Sequence, residues 1–198
     1  MKTLTITNPF DQSVVNEIPY TQAPQLDATL HAMVGAQREW ARIPVEERID
    51  RGRHGLTRFR QAADPIAREI TQQMGKAITE ARAEVRTFCD RAEHMLSIAT
   101  ESLRPDVLPD KAGFVRRIEH VPKGIVFVVG AWNYPLLIPV NAFIPALVAG
   151  NAVILKHSAR TPLTGHRFIA AFAPDLPPGL FADVVLSHAD TAQLVGDP

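Results

Sequence analysis

The sequence predicts an α/β chain in which a helical amino-terminal region carrying a β-hairpin precedes the first βαβαβ part of a parallel sheet. Three observations predict it. Short alternation of polar and apolar residues is confined to the first 20 positions, the pattern of half-buried strands. From about Leu26 to Ser102 apolar residues recur every three or four positions, as in helices that bury one stripe. Beyond Gly124, unbroken apolar runs alternate with helical segments at intervals of ~30 residues, the size of βαβ units.

Leu4–Ile6 and Ser13–Ile18 are the alternating runs, joined through Asn8-Pro9-Phe10-Asp11-Gln12 as an antiparallel hairpin. Leu26, Leu30, Met33, Val34 and Trp40 share a helical face that Pro44 ends. A second helix starts near Val45 and turns Val45, Ile49, Leu56 and Phe59 inward, while Gly52 and Gly55 weaken its middle. Asp64-Pro65 has the form of a cap and a first-turn proline, opening a short helix through Ile66 and Ile70. The longest helix spans Ile78 to Ser102, with Ile78, Ala81, Val85, Phe88, Ala92, Met95 and Ala99 on its stripe.

Leu103–Asp110 reads as a loop by its prolines and Phe114–Val121 as a strand. Ile125–Val129 lacks alternation, as a parallel strand covered on both faces does. An apolar helix follows through Leu137, Val140, Ile144 and Val148, and Ala149-Gly150-Asn151 stops it. Ala152–Lys156 is the next buried strand, Thr161-Pro162 starts a helix to about Phe172, and Phe181–Leu186 is a third strand. Asp190 has the place of a cap for a last short helix. Right-handed crossovers put the three strands in one parallel sheet.

Lys plus Arg and Asp plus Glu both number 21, so no net field draws the chain to nucleic acid or an anionic membrane. No apolar run approaches the ~20 residues of a membrane span, and the opening lacks the basic head and apolar core of a secretory signal. The single cysteine, Cys89, excludes an internal disulfide and fits a cytoplasmic location. It lies beside Phe88 on the long helix with no base nearby, which reads as a core-edge residue rather than a nucleophile. No metal ligand set is expected.

In an open parallel sheet, ligands bind beyond the carboxyl ends of the strands, so the turns after Val129, Lys156 and Leu186 are the places for chemistry. The first turn, Gly130-Ala131-Trp132-Asn133-Tyr134-Pro135, lacks G-x-G-x-x-G and does not predict a tightly cradled pyrophosphate. An amide at Asn133 can donate to charge developing on a carbonyl oxygen; taken alone, it reads better as a turn cap. Lys156 at a strand end can reach ribose hydroxyls or phosphate, or can be a structural lysine.

These residues recur in an ordered series: Pro122-Lys123-Gly124, Ala131-Trp132-Asn133-Tyr134-Pro135-Leu136, Pro145-Ala146-Leu147, Ala149-Gly150-Asn151, Leu155-Lys156 and Thr161-Pro162-Leu163-Thr164. Upstream stand Asn8-Pro9, Gln73-Met74-Gly75-Lys76 and Glu80-Ala81. The series resembles the aldehyde dehydrogenase superfamily over essentially the whole chain. The resemblance implies the amino-terminal portion of an incomplete aldehyde dehydrogenase fold with a Rossmann-like sheet. It implies an NAD- or NADP-dependent enzyme in which a cysteine thiolate attacks an aldehyde, hydride leaves to the nicotinamide and water releases the acid. Asn133 matches the oxyanion-stabilising asparagine, and Lys156 the lysine that contacts the adenosine ribose or a 2′-phosphate. Gly130, Ala131 and Trp132 match the stretch along the cofactor, and Ser158 a small residue beside the adenosine pocket.

Many NAD-preferring relatives carry a glutamate three residues after the lysine, where this sequence has Ala159 and then Arg160. Losing a carboxylate removes a repulsion from a 2′-phosphate, and a guanidinium can attract one. NAD and NADP both stay open. Leu186-Ser187-His188-Ala189-Asp190 lacks the glycines many relatives place there. The family's glycine-rich turn, general-base glutamate, catalytic cysteine and second ribose-binding glutamate would lie beyond Pro198, so the isolated chain is expected to be inactive.

The resemblance divides the chain into 1–110, a hairpin and helices packing on the cofactor domain; 111–122, a strand segment of the oligomerisation region; and 123–198, the start of the nucleotide-binding sheet. Its full-length form is expected to act on a small-molecule aldehyde as a homo-oligomer, with no nucleic acid or membrane partner. A non-catalytic nucleotide-binding or dimerising module, and a portion of a CoA-acylating relative, are the alternative readings.

Overall fold

The computed structural model describes residues 2–196. Strands β1 (Thr3–Thr7) and β2 (Val14–Pro19) pair antiparallel, with Thr3 opposite Pro19 and a register shift between Ile6 and Thr7. Four helices follow: α1 (Ala23–Trp40), α2 (Val45–Gln61), α3 (Ala63–Met74) and α4 (Ile78–Ser102). The bounds of α4 are those the apolar spacing predicts. In α2 the glycines permit close packing. A Cβ on Gly52 would stand 2.8 Å from Leu96 Cδ2, and one on Gly55 would press into Phe172.

Several expectations change in detail. Val34 is exposed and Ala36 joins Met33 and Trp40 in the core, completing steps of three and four residues. Ala62, rather than Asp64, occupies the N-cap of α3, because α2 runs almost directly into it. Asp64 lies in the first turn and spends its carboxylate on Arg68 and Arg82. Leu96, not Met95, fills the core opposite Gly52, and the charged Glu84 is buried on the same stripe.

The strand expected over Phe114–Val121, the heart of the 111–122 segment, shrinks to β4 (Arg117–Ile118). It pairs with β3 (Asp106–Val107), within the stretch expected to be a loop. Alternation supplies no ladder without a backbone partner, and Phe114, Val115 and Val121 stand exposed.

Strands β5 (Ile125–Val129), β6 (Ala152–Lys156) and β7 (Phe181–Asp183) form one parallel sheet in that order. Helices α5 (Leu137–Val148) and α6 (Leu163–Phe172) make the crossovers, and a 3₁₀ turn at Ala173–Asp175 follows α6. The third strand is shorter than expected. Val184 N–H still reaches the Leu155 carbonyl at 2.8 Å, but Val185 turns away to exchange bonds with Thr21. Helix α7 (His188–Val195) is capped by Ser187, with Asp190 three positions on completing a capping box.

Every residue of β6 is buried, whereas Ile125, Val126 and Phe127 of β5 are only half-covered and Val129 is exposed. The expectation of two covered faces holds for the central strand and fails for the edge. Between sheet and helices, Phe59, Phe88, Phe143, Phe168 and Phe172 pack with ring centroids 4.3 to 6.4 Å apart. One apolar core therefore runs from α1 through α6 and β7.

Helix α5 is apolar except for the exposed Asn141 and is fastened at both ends by side chains from upstream helices. Trp40 Nε1 donates to the Leu147 carbonyl at 2.6 Å, Arg48 Nε to Val148 at 2.8 Å and Gln37 Nε2 to Gly150 at 2.9 Å. At the other end Glu84 Oε1 accepts from Leu136 N–H at 2.9 Å and Leu137 N–H at 3.3 Å. The orphan groups of a helix are thus satisfied by tertiary partners.

Candidate functional site

The loops after β5 and β6 leave the sheet side by side. Val129 is in register with Lys156, and Gly130 N–H donates to the Lys156 carbonyl at 2.9 Å. Lys156 is only 6% exposed, and its Nζ has no hydrogen-bond or ion-pair partner among the described residues. Burial draws its ammonium below the ordinary lysine range. Trp132 and Asn133 are exposed, Ala131 and Ser158 half-buried, and Gly130 buried. The Asn133 amide makes no hydrogen bond among the described residues. Ser158 Oγ accepts from Arg160 N–H at 3.3 Å, and the Arg160 guanidinium lies 4.7 Å over the Trp132 ring.

The backbone of the Asn133 loop is tied down although its side chain is not. Lys76 Nζ donates to the Asn133 carbonyl at 2.8 Å and pairs with Glu84; the same ammonium lies 4.4 Å over the Tyr134 ring. Glu84 in turn holds the first amides of α5. An incoming pyrophosphate would ordinarily use those amides, and here the protein's own carboxylate fills them, in accord with the missing glycine pattern. Gln73 Oε1 accepts from Leu163 N–H at 3.0 Å and so anchors the start of α6.

His157 is 4% exposed. Its Nδ1 accepts from Ser158 N–H at 3.0 Å, so the neutral ring carries its proton on Nε2, which donates to the Pro135 carbonyl at 2.8 Å. Burial pushes its pKa down to about 4 and keeps it neutral. Sequence reading singled out Asn133 and Lys156 as strand-end candidates, and the structure places them on adjacent loops; it gave no role to His157 or Glu84. The Gln73-Met74-Gly75-Lys76 landmark carried the only signal for part of this framework.

Cys89 is 5% exposed and burial raises its thiol pKa. Both observations place it in the core, away from nucleophilic duty. Among the described residues no group of three His, Cys, Asp or Glu stands ready to hold a metal, and no helix is long and apolar enough to cross a membrane.

A parallel α/β sheet in the order β5-β6-β7 thus carries, on adjacent strand-end loops, an amide and an ammonium without partners among the described residues. The chain matches the aldehyde dehydrogenase family over residues 1–197 and belongs to it. It is 30% identical over 192 residues to an NADP-linked succinate-semialdehyde dehydrogenase of Deinococcus radiodurans, covering 96% of this chain and 40% of the relative. It is 34% identical over 177 residues to an N-succinylglutamate 5-semialdehyde dehydrogenase of Chromobacterium violaceum, covering 88% and 36%. The solved NAD-dependent benzaldehyde dehydrogenase of Corynebacterium glutamicum superposes with a TM-score of 0.88 at 26% identity, covering 95% of this chain and 42% of that one. The chain thus spans about 40% of the length of the curated relative from Deinococcus.

Proposed function

We propose that this chain forms the amino-terminal, nucleotide-side portion of an NAD(P)-dependent aldehyde dehydrogenase. In this reading residues 1–110 brace the cofactor sheet, 111–122 belong to an oligomerisation region, and 123–198 begin the sheet itself. The observation that carries the proposal is the Asn133 amide, unpaired on a loop whose backbone is bonded at Asn133, Pro135 and Leu136. Such a donor is pre-organised for the negative charge that develops on an aldehyde oxygen under thiolate attack.

The residues present fit one end of a dinucleotide. Lys156 offers an uncompensated ammonium for ribose hydroxyls or a 2′-phosphate, and Trp132 with Ala131 flanks the path beside it. Ser158 contributes a small side chain. The bound nicotinamide supplies the hydride acceptor. Because Cys89 is buried and its thiol pKa raised, the nucleophile comes from outside these 198 residues. The substrate is a small-molecule aldehyde and the location cytoplasmic in this reading.

Titration with NAD⁺ and NADP⁺ tests the nucleotide side. Lys156→Met is expected to weaken both by roughly tenfold or more, about one lost charge-assisted hydrogen bond; unchanged affinity removes Lys156 from the site. Joined to the remainder of an aldehyde dehydrogenase, the Asn133→Ala chain is expected to turn over on the order of 10²-fold more slowly. Equal turnover excludes Asn133 from oxyanion stabilisation.

A second reading, a dimerising module, is favoured by the β3–β4 arm, where Val107 and Val115 are 81% and 96% exposed. Exposed apolar groups so close together mark a contact surface.

A further inference from the structure

The peptide joining Pro135 to Leu136 is gripped from both sides. Its carbonyl accepts from His157 Nε2 at 2.8 Å and its N–H donates to Glu84 Oε1 at 2.9 Å. Rotation of this peptide plane would break both bonds at once. Asn133 lies two residues upstream, so the aim of its side chain depends on where this plane is held.

His157 directly follows Lys156, and the ring is itself held in place. Nδ1 takes Ser158 N–H at 3.0 Å and stands 3.2 Å from Thr161 Oγ1. Above it, a Cβ on Gly130 would come within 3.0 Å of Cδ2 and Nε2. A side chain there would push the imidazole by a few tenths of an ångström, which gives a reason for glycine at a position whose backbone does not need one.

We propose that His157 is a positioning residue that couples the Lys156–Thr161 loop to the Asn133 loop through its bond to the Pro135 carbonyl. The proposal rests on the nucleotide-side reading above and adds to it a route between the two loops. A nucleotide that engages Lys156 restrains the residue next to it, and the imidazole passes that restraint to the loop bearing the amide. By linkage the effect is reciprocal: a loop held in place favours nucleotide binding.

The test uses the 198-residue chain, labelled with ¹⁵N, as wild type, His157→Gln and His157→Leu. Glutamine keeps a side-chain N–H able to reach the carbonyl, and leucine keeps bulk without a donor. Imidazole nitrogen spectra of the wild type are expected to show a protonated Nε2 and a bare Nδ1; the opposite tautomer overturns the proposal. Amide exchange at residues 132–134 is expected to rise tenfold or more in His157→Leu and to return most of the way in His157→Gln, with α4 unchanged. Equal exchange in all variants overturns it.

Saturating NAD⁺ or NADP⁺ is expected to slow those amides in wild type and His157→Gln and to lose that effect in His157→Leu. Equal slowing in His157→Leu sinks the coupling while leaving nucleotide binding intact. Failure of both nucleotides to bind the wild type sinks the nucleotide-side reading and the coupling with it, and exchange without ligand still judges the fastening. Should His157→Leu not fold, the glutamine variant and the wild-type tautomer decide.

Discussion

Asp183 ends β7 with a carboxyl that is almost wholly buried and has no hydrogen-bond partner on either oxygen among the described residues. It packs against Gly165, where a Cβ would press on the carboxylate, and the His166 ring, charged only when protonated, lies 3.5 Å away. Burial pushes its pKa up to about 8 from an ordinary 3.8, so the folded chain holds this proton where the unfolded chain has released it. Stability therefore falls as pH rises from about 4 to about 8. His157 acts oppositely: its folded pKa of about 4 lies below 6.5, and stability is lost as pH falls through that window. His166, lowered chiefly by burial, adds to the acid side. Between pH 6.5 and 8 neither His157 nor His166 opposes the Asp183 slope. Asp183→Asn is expected to flatten it and to raise stability near pH 8 by a few kcal/mol. Denaturant unfolding at several pH values measures this, and an unchanged slope refutes the assignment. The sequence offered no sign of Asp183, since a strand-end aspartate looks the same whether water reaches it or not.

Helices and strands were read from periodicity, which reports which face is apolar. It gave α4 its limits and β5 and β6 theirs, because long stripes and unbroken apolar runs have few competing explanations. It said nothing of polar partners 52 or 90 residues away, the separations of the Glu84 and Gln73 contacts. The segment 114–121 failed because β-like composition needs a neighbour to pair with. The Lys76–Glu84 pair illustrates what was hidden. With side chains 12% and 2% exposed, removing the ammonium alone by Lys76→Met strands a buried carboxylate and should cost about 3–5 kcal/mol. Adding Glu84→Gln to it should recover much of that loss, since an amide oxygen can still receive the α5 N–H groups. Calorimetric melting of the single and double variants checks the order. In α2 the two glycines should part company. Gly55→Ala meets the backbone of Phe172 as well as its ring and should cost about 1–3 kcal/mol by overpacking. Gly52→Ala meets only the tip of Leu96, and the gain in helix preference of roughly 1 kcal/mol offsets much of that contact. Chemical denaturation midpoints separate the two.

For the whole molecule, the decisive property is that the sheet has no core of its own. Phe168 packs on Phe59 and Phe88 of the preceding helices, Phe143 on Phe88 and Phe181 on Phe143, and α5 borrows its end caps from α1, α2 and α4. A segment of residues 111–198 alone is therefore expected to lack a cooperative melt, while the full chain shows one. A sharp transition in the segment would divide the core that the structure shows as continuous. Apolar runs and their spacing made the βαβαβ order legible, but not this dependence, which resides in tertiary contacts. The arm carrying Val107 and Val115 belongs to the same scale. Val115→Lys is expected to reduce self-association, if that surface causes it, as read by sedimentation, with the melting temperature little changed. The capping of α5 also bears on biosynthesis. Trp40, Arg48, Gln37 and Glu84 are all translated before Leu137, so the ribosome releases the hydrophobic α5 segment into a receptacle already made. A nascent chain that stalls before residue 137 has the side chains that cap α5 waiting, and one that passes it need not leave its greasiest helix unsheltered for chaperones to find.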